Sequence, residues 1–201
     1  MLPMWMEPVL AVLLGYALGS IPFGLLLTRL TGGGDLRDIG SGNIGATNVL
    51  RTGNKAVAAL TLLLDMGKGA LAVIVVGQLF PGFEILAGMG AFLGHLYPVW
   101  LRFNGGKGVA TLLGIITALQ PILGAVFAVI WIGTLMIWRY SSLGGMLASA
   151  SVPVSAFVLG EYQWIPIFVG LTLLVFWKHR SNIERLLAGE EPRVGASKDN
   201  G

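Results

Sequence analysis

Thirty consecutive residues, Val109–Trp138, carry no charged side chain. In water such a run would have to be buried on every side, which a chain of 201 residues cannot arrange repeatedly. Yet apolar runs recur at Val9–Leu27, Ala56–Phe80, Ile85–Leu101, Leu143–Gly160 and Tyr162–Trp177. Each approaches the roughly 17–25 residues a helix needs to cross a bilayer. Only 11% of residues are charged and 55% are hydrophobic, against about 25% charged in soluble chains. These features specify an all-α integral membrane protein and leave no room for a separate soluble domain. Thirty glycines without a repeating period exclude collagen and point to close helix packing. The absence of cysteine excludes disulfides, zinc thiolates and cysteine nucleophiles. The bases are too scattered for a nucleic-acid partner. Arg29 is the first of them, so the N-terminus lacks the positive region of a signal peptide.

The bases also set the topology. Lys and Arg collect on the cytoplasmic side. With the N-terminus outside, segments 28–55, 102–108, 139–142 and 178–201 face inward and hold twelve of the 13 basic residues. The remaining one, Lys68, lies within an apolar run. The outer turns carry Glu7, Glu84 and Glu161 and no base. This distribution requires Val109–Trp138 to cross twice, with a turn near Gln120-Pro121. The expectation is seven transmembrane helices, N-terminus outside and C-terminus cytoplasmic, the fourth (about 109–119) unusually short. Residues 1–189 form one membrane domain. The polar, small-residue segment 190–201 is expected to be a disordered cytoplasmic tail.

Chemistry concentrates on the inner side. The longest inner loop contains Gly40-Ser41-Gly42-Asn43-Ile44-Gly45-Ala46-Thr47-Asn48, followed by Arg51. Glycines at 42 and 45 are expected to adopt conformations that a side chain would resist. Successive amide N–H groups, the neutral donors Ser41, Asn43, Thr47 and Asn48, and the Arg51 guanidinium suit a phosphate. A plain turn would use the same residue types. A second cluster, Phe103-Asn104-Gly105-Gly106-Lys107-Gly108-Val109-Ala110-Thr111, opens a helix whose N-terminus attracts anions. It is not a Walker A, because Gly108 stands where Ser or Thr is required. Its bland alternative is a topology-setting lysine in a glycine turn.

His95 lies near the inner end of the third run, and Asp65 and Lys68 lie one helical turn apart inside the second. Ionisable groups in a spanning helix are functional candidates, although a satisfied histidine or a purely structural ion pair remains the alternative. Two histidines with no carboxylate beside them in sequence argue against a metal site. Asn182, within the basic stretch after the last helix, is the residue there least explained by topology.

The chain resembles the acyl-phosphate:glycerol-3-phosphate acyltransferase family of bacterial inner membranes, known as PlsY. The matching stretches are Gly19-Ser20-Ile21-Pro22, Ser41–Asn48, Leu64–Gly69, Gly94–Val99, Gly105–Thr111, Tyr140–Leu143 and Asn182–Leu186. The resemblance implies transfer of a fatty acyl group from acyl phosphate to the 1-hydroxyl of glycerol 3-phosphate. The products would be lysophosphatidic acid and phosphate, in the first step of phospholipid synthesis. It implies no cofactor, bilayer lipids around the chain, and the enzyme that supplies acyl phosphate as a candidate partner. It implies a multi-pass inner-membrane protein with a cytoplasmic site. Ser41, His95, Lys107 and Asn182 match the family's active-site residues. Asn43, Thr47 and Arg51 match its phosphate-binding loop. Gly42, Gly45, Asn48, Gly105, Gly106, Asp65 and Lys68 complete the expected substrate-binding set. Asn104 stands where members often carry a second lysine, leaving Lys107 as the main cation of that loop.

The other acyltransferase signature on this pathway, His-x4-Asp, is absent: Trp100 follows His95 at that spacing and Glu184 follows His179. With phosphate as leaving group, the larger need is to neutralise two phosphates and hold the hydroxyl at the carbonyl. Either His95 or a substrate phosphate then takes the proton. The competing class is a small transporter for an anionic solute. Its outer turns would be too short for a vestibule, and no inverted repeat is evident.

Overall fold

The computed structural model describes residue 3 and residues 5–195. Among these, every regular element is helical. The α-helices are α1 (Met6–Gly19), α2 (Phe23–Leu30), α3 (Ala46–Leu50), α4 (Lys55–Leu79), α5 (Glu84–Leu96), α6 (Val109–Leu119), α7 (Pro121–Trp138), α8 (Ser141–Val158), α9 (Ile165–Lys178) and α10 (Arg180–Ala188). Short 3₁₀ turns occupy Leu36–Asp38, Val99–Leu101 and Tyr162–Trp164. Four stretches are long and apolar enough to cross a membrane: Met6–Leu30, Lys55–Leu79, Pro121–Trp138 and Ser141–Val158. Val109–Leu119 and Tyr162–Lys178 are shorter apolar helices. The uncharged run is two helices: α6 stops at Leu119, Gln120 is extended, and Pro121 opens α7. Proline suits a first helical position because its missing N–H would have no partner there.

The chain forms two compact units, and the division falls within α7, after Gly124. In the first unit, the expected span Val9–Leu27 is not one continuous helix. Pro22 lacks an N–H and its ring clashes with the carbonyl four residues back, so α1 ends and α2 restarts. The break strands carbonyls that no lipid can satisfy. Trp100 Nε1 donates to Ser20 O at 2.7 Å, and Lys68 Nζ donates to Ile21 O at 2.7 Å. The Gly19-Ser20-Ile21-Pro22 motif is thus a helix break held by two donors from distant positions in the chain.

Small residues let these helices touch backbone to backbone. A Cβ at Gly15 or Gly19 of α1 would overlap the carbonyls of Ala87 and Ala91 on α5. Gly90 and Gly94 of α5 return the arrangement against Val12 and Tyr16. Gly69 of α4 and Gly114 of α6 meet in the same way, against Thr111 O and Met66 O. Large apolar side chains such as Leu13, Leu63 and Ile74 point outward instead. That inversion, small within and large without, fits a surface bathed in lipid tails.

In the second unit, Phe168, Leu171 and Val175 of α9 are buried, and Thr172 Oγ1 donates to Ser149 O of α8 at 2.9 Å. Gly144 of α8 admits the Trp131 ring of α7. The segment expected to be disordered from 190 onward is engaged over residues 190–195. Val194 N donates to Arg139 O at 2.7 Å, and the Arg139 guanidinium donates to Val194 O. Residues 196–201 lie outside the described residues.

Candidate active site

The site residues of the first unit sit on two loops and two helices. The loop that follows α2 is organised by Asn48, which is buried. Its Nδ2 donates to Leu36 O, Ile39 O and Asn43 O at 3.1, 2.9 and 2.8 Å. Its Oδ1 accepts from Ser41 N at 3.0 Å and from Ser41 Oγ at 3.3 Å. The sequence places Asn48 among the substrate donors. The fold instead commits both ends of its amide to shaping the loop and holding Ser41. Gly42 N donates to Ile39 O and Gly45 N to Asn43 Oδ1, so these N–H groups also serve the loop rather than an anion nest. Gly42 has φ +68 and needs to be glycine. Gly45, at φ −86 and ψ 166, is ordinary extended backbone, which corrects the expectation for that position. Ser41, Thr47 and Arg51 remain on the loop's exposed side, with the Arg51 side chain lying over Gly40. Upstream, hydrogen bonds from Arg37 and Arg29 hold the Asp35 carboxyl well below the usual carboxylate range.

One hydrophobic cluster underlies both loops. Leu25, Leu36, Ile44, Val49, Val57 and Ala58 form it beneath the Ser41 loop, and Leu101 packs on it from the turn that leads to the glycine loop. That turn is strained: Arg102 and Phe103 are consecutive non-glycine residues at φ 51 and 62, a conformation that costs about 1–3 kcal/mol each.

The Gly105-Gly106-Lys107-Gly108 loop is stitched to the end of α5. Gly105 N donates to Leu96 O and Gly106 N to His95 O, at 3.1 and 3.0 Å. These two N–H groups cap α5 and are not presented to a phosphate, contrary to the expectation for Gly105 and Gly106. The glycines are required for another reason. A Cβ at Gly106 would overlap His95 Nε2, one at Gly105 would overlap His95 O, and one at Gly108 would enter the Phe92 ring. The loop is glycine-rich because it lies directly against His95 and α5. Lys107 is half-buried between these glycines, immediately before α6. The helix N-terminus adds its field to that of the ammonium.

Asp65 and Lys68 do not line an open surface. Both are buried in α4, with Lys68 Nζ 2.7 Å from Asp65 Oδ1. Asp65 Oδ1 is also 3.7 Å from His95 Nδ1. The sequence shows no carboxylate beside His95; the fold supplies one from thirty residues away.

Asn182 belongs to the second unit and is buried at the start of α10. Its Nδ2 donates to Glu191 Oε1 at 2.6 Å, and Ser142 Oγ donates to the same oxygen at 2.6 Å. Arg185 Nε donates to Glu191 Oε2 at 2.8 Å. Sequence reasoning misses Glu191. The signal that could have found it is Gly189, whose φ of +73 ends α10 and folds Glu190 back to Arg185 O.

Three comparisons bear on this arrangement. Residues 9–189 match the sequence model of the glycerol-3-phosphate acyltransferase family. A glycerol-3-phosphate acyltransferase of Mesorhizobium japonicum is 56% identical over 188 residues, covering 94% of this chain and 96% of that protein. One from Agrobacterium fabrum is also 56% identical, covering 92% and 91%. The crystal structure of PlsY (YgiH), an integral membrane glycerol 3-phosphate acyltransferase in its glycerol 3-phosphate form, superposes with a TM-score of 0.88 at 38% identity. The match covers 94% of this chain and 96% of that one. Its lysophosphatidic acid form gives 0.85 at 35%. The glycine loop on His95 and the Ser41 loop therefore sit in a chain that belongs to the glycerol-3-phosphate acyltransferase family.

Proposed function

We propose that the chain transfers a fatty acyl group from acyl phosphate to the 1-hydroxyl of sn-glycerol 3-phosphate, giving lysophosphatidic acid and inorganic phosphate. The observation that carries this reading is the placement of His95 against Gly106, the residue before Lys107 and the opening of α6. One short loop thus holds a glycine pressed on an imidazole nitrogen, a lysine and the start of a helix, residue types suited to transfer between two phosphorylated molecules. The glycerol 3-phosphate and lysophosphatidic acid forms of the similar solved structure support the acceptor and the product.

The reaction breaks the anhydride C–O bond and forms an ester C–O bond from the substrate hydroxyl. The hydroxyl proton goes to His95 or to the departing phosphate. Lys107 stabilises charge that grows on the leaving phosphate, and Arg51 with Ser41 and Thr47 orients the acceptor's phosphate. Asn182, whose Nδ2 is held by Glu191 Oε1, is proposed as an active-site residue on the family resemblance alone. We place the site on the cytoplasmic side of a seven-crossing chain in the bacterial inner membrane. The twelve inward bases and the division of Val109–Trp138 into α6 and α7 support that placement.

The test uses purified protein in liposomes containing acyl phosphate, with glycerol 3-phosphate added. Phosphate release matched one-to-one by acylation at the 1-position is expected. Glycerol 3-phosphate crossing the bilayer without acylation would favour a transporter.

A further inference from the structure

We infer that Asp65 is a positioning residue for His95, acting on the reaction through the imidazole rather than through substrate. The inference rests on the acyl-transfer reading for its kinetic consequence, though not for its geometry. His95 is bracketed. Asp65 Oδ1 lies 3.7 Å from Nδ1. At the opposite edge of the ring, Nε2 sits so close to Gly106 that no side chain fits there. Asp65 is 3% exposed, and its carboxylate already faces Lys68 and His95.

A buried ion pair is seldom worth keeping for stability alone, because desolvation offsets the Coulomb gain. Lys68 does more than pair with Asp65, since it also donates to Ile21 O across the α1–α2 break. Its ammonium keeps a negative charge at Asp65 tolerable inside the membrane. Asp65 in turn favours a proton on Nδ1 of His95. That leaves the Nε2 lone pair facing the glycine loop, the general arrangement of an oriented imidazole. The rival explanation is that Asp65 only balances Lys68.

Two measurements separate these. The first is the ¹⁵N spectrum of histidine-labelled wild-type protein at pH 8, where the chain's two histidines are assigned by loss of one signal in His95→Gln. A proton on Nδ1 of His95 is expected, and a bare Nδ1 would overturn the inference. It needs no turnover, so a chain inactive with acyl phosphate would sink the proposed reaction and leave this test standing. The second is a double-mutant cycle. Asp65→Asn is expected to lower kcat about 10²-fold with the glycerol 3-phosphate KM within about twofold, and to lower it no more than about twofold further in His95→Gln. Asp65→Glu, which keeps the charge beside Lys68, should recover part of the loss and serves if Asp65→Asn does not fold. Equal losses from Asp65→Asn in both backgrounds, or full activity in Asp65→Glu together with a bare Nδ1, would show that Asp65 only balances charge.

Discussion

At the scale of single residues, the glycines divide into those a loop needs and those it does not. Gly106→Ala places a methyl group on His95 Nε2. The loop must then lift from α5, and a displacement of about 1 Å at a reacting group costs on the order of 10²-fold in rate. Gly45→Ala meets only Asn43 Oδ1, at 3.1 Å, with backbone angles that alanine adopts freely. The expected result is a large kcat loss for Gly106→Ala and activity within a few-fold of wild type for Gly45→Ala. Similar losses in both would mean the two loops tolerate side chains alike and the His95 contact is incidental. Lys107 is tested by charge and shape together. Lys107→Ala should lower kcat by about 10²–10³-fold. Lys107→Arg should restore only part of it, because a planar fork does not replace a point charge between Gly106 and Gly108. Full activity in Lys107→Ala would remove it from the reaction.

At the scale of elements, the C-terminal segment is a clasp on α10. Burial alone would push the Glu191 carboxyl up. Hydrogen bonds from Ser142, Asn182 and Arg185, with the Arg185 charge, outweigh it and hold the group below the ordinary glutamate value. A value depressed in the folded state contributes stability that is complete above the ordinary glutamate range and is lost as pH falls through the folded value. The Val194 amide, bonded to Arg139 O, reports on the clasp. Its hydrogen exchange, corrected for intrinsic rate, should quicken in Glu191→Ala at neutral pH and in the wild type only under acid conditions. Unchanged protection in Glu191→Ala would show that the segment is held without it. Gly189 is the sequence's one signal of this clasp, since polar, small residues after the last helix otherwise read as tail whether or not one of them folds back. The pairing of Asp65 with His95 has no sequence signal, because they lie on different helices, α4 and α5, and approach only in the fold. What sequence did carry was anything written in local order. The apolar runs became helices, and Gln120-Pro121 became the division between α6 and α7. The motif glycines serve their loops differently from the expectation: their N–H groups cap α5 and close turns, and at Gly105 and Gly106 the missing side chain admits His95.

At the scale of the whole molecule, the charge distribution and the chemistry make one joint claim, that the site opens to the cytoplasm. The chain has no cysteine, so single replacements report cleanly. Cysteines at Glu84 and Glu161 should react with an impermeant thiol reagent outside intact cells, and cysteines at Lys55 and Ser141 should not. Labelling of Ser141→Cys from outside would mean that α6 and α7 do not both cross. The most direct test of the account is the choice of acyl donor. Lysophosphatidic acid formation is measured in liposomes with acyl phosphate, with acyl coenzyme A and with acyl carrier protein thioester, at matched acyl chain and enzyme. The account predicts product from acyl phosphate alone, with equal phosphate release, and a loss of about 10²-fold or more in Lys107→Ala. Product from either thioester at a comparable rate would contradict it.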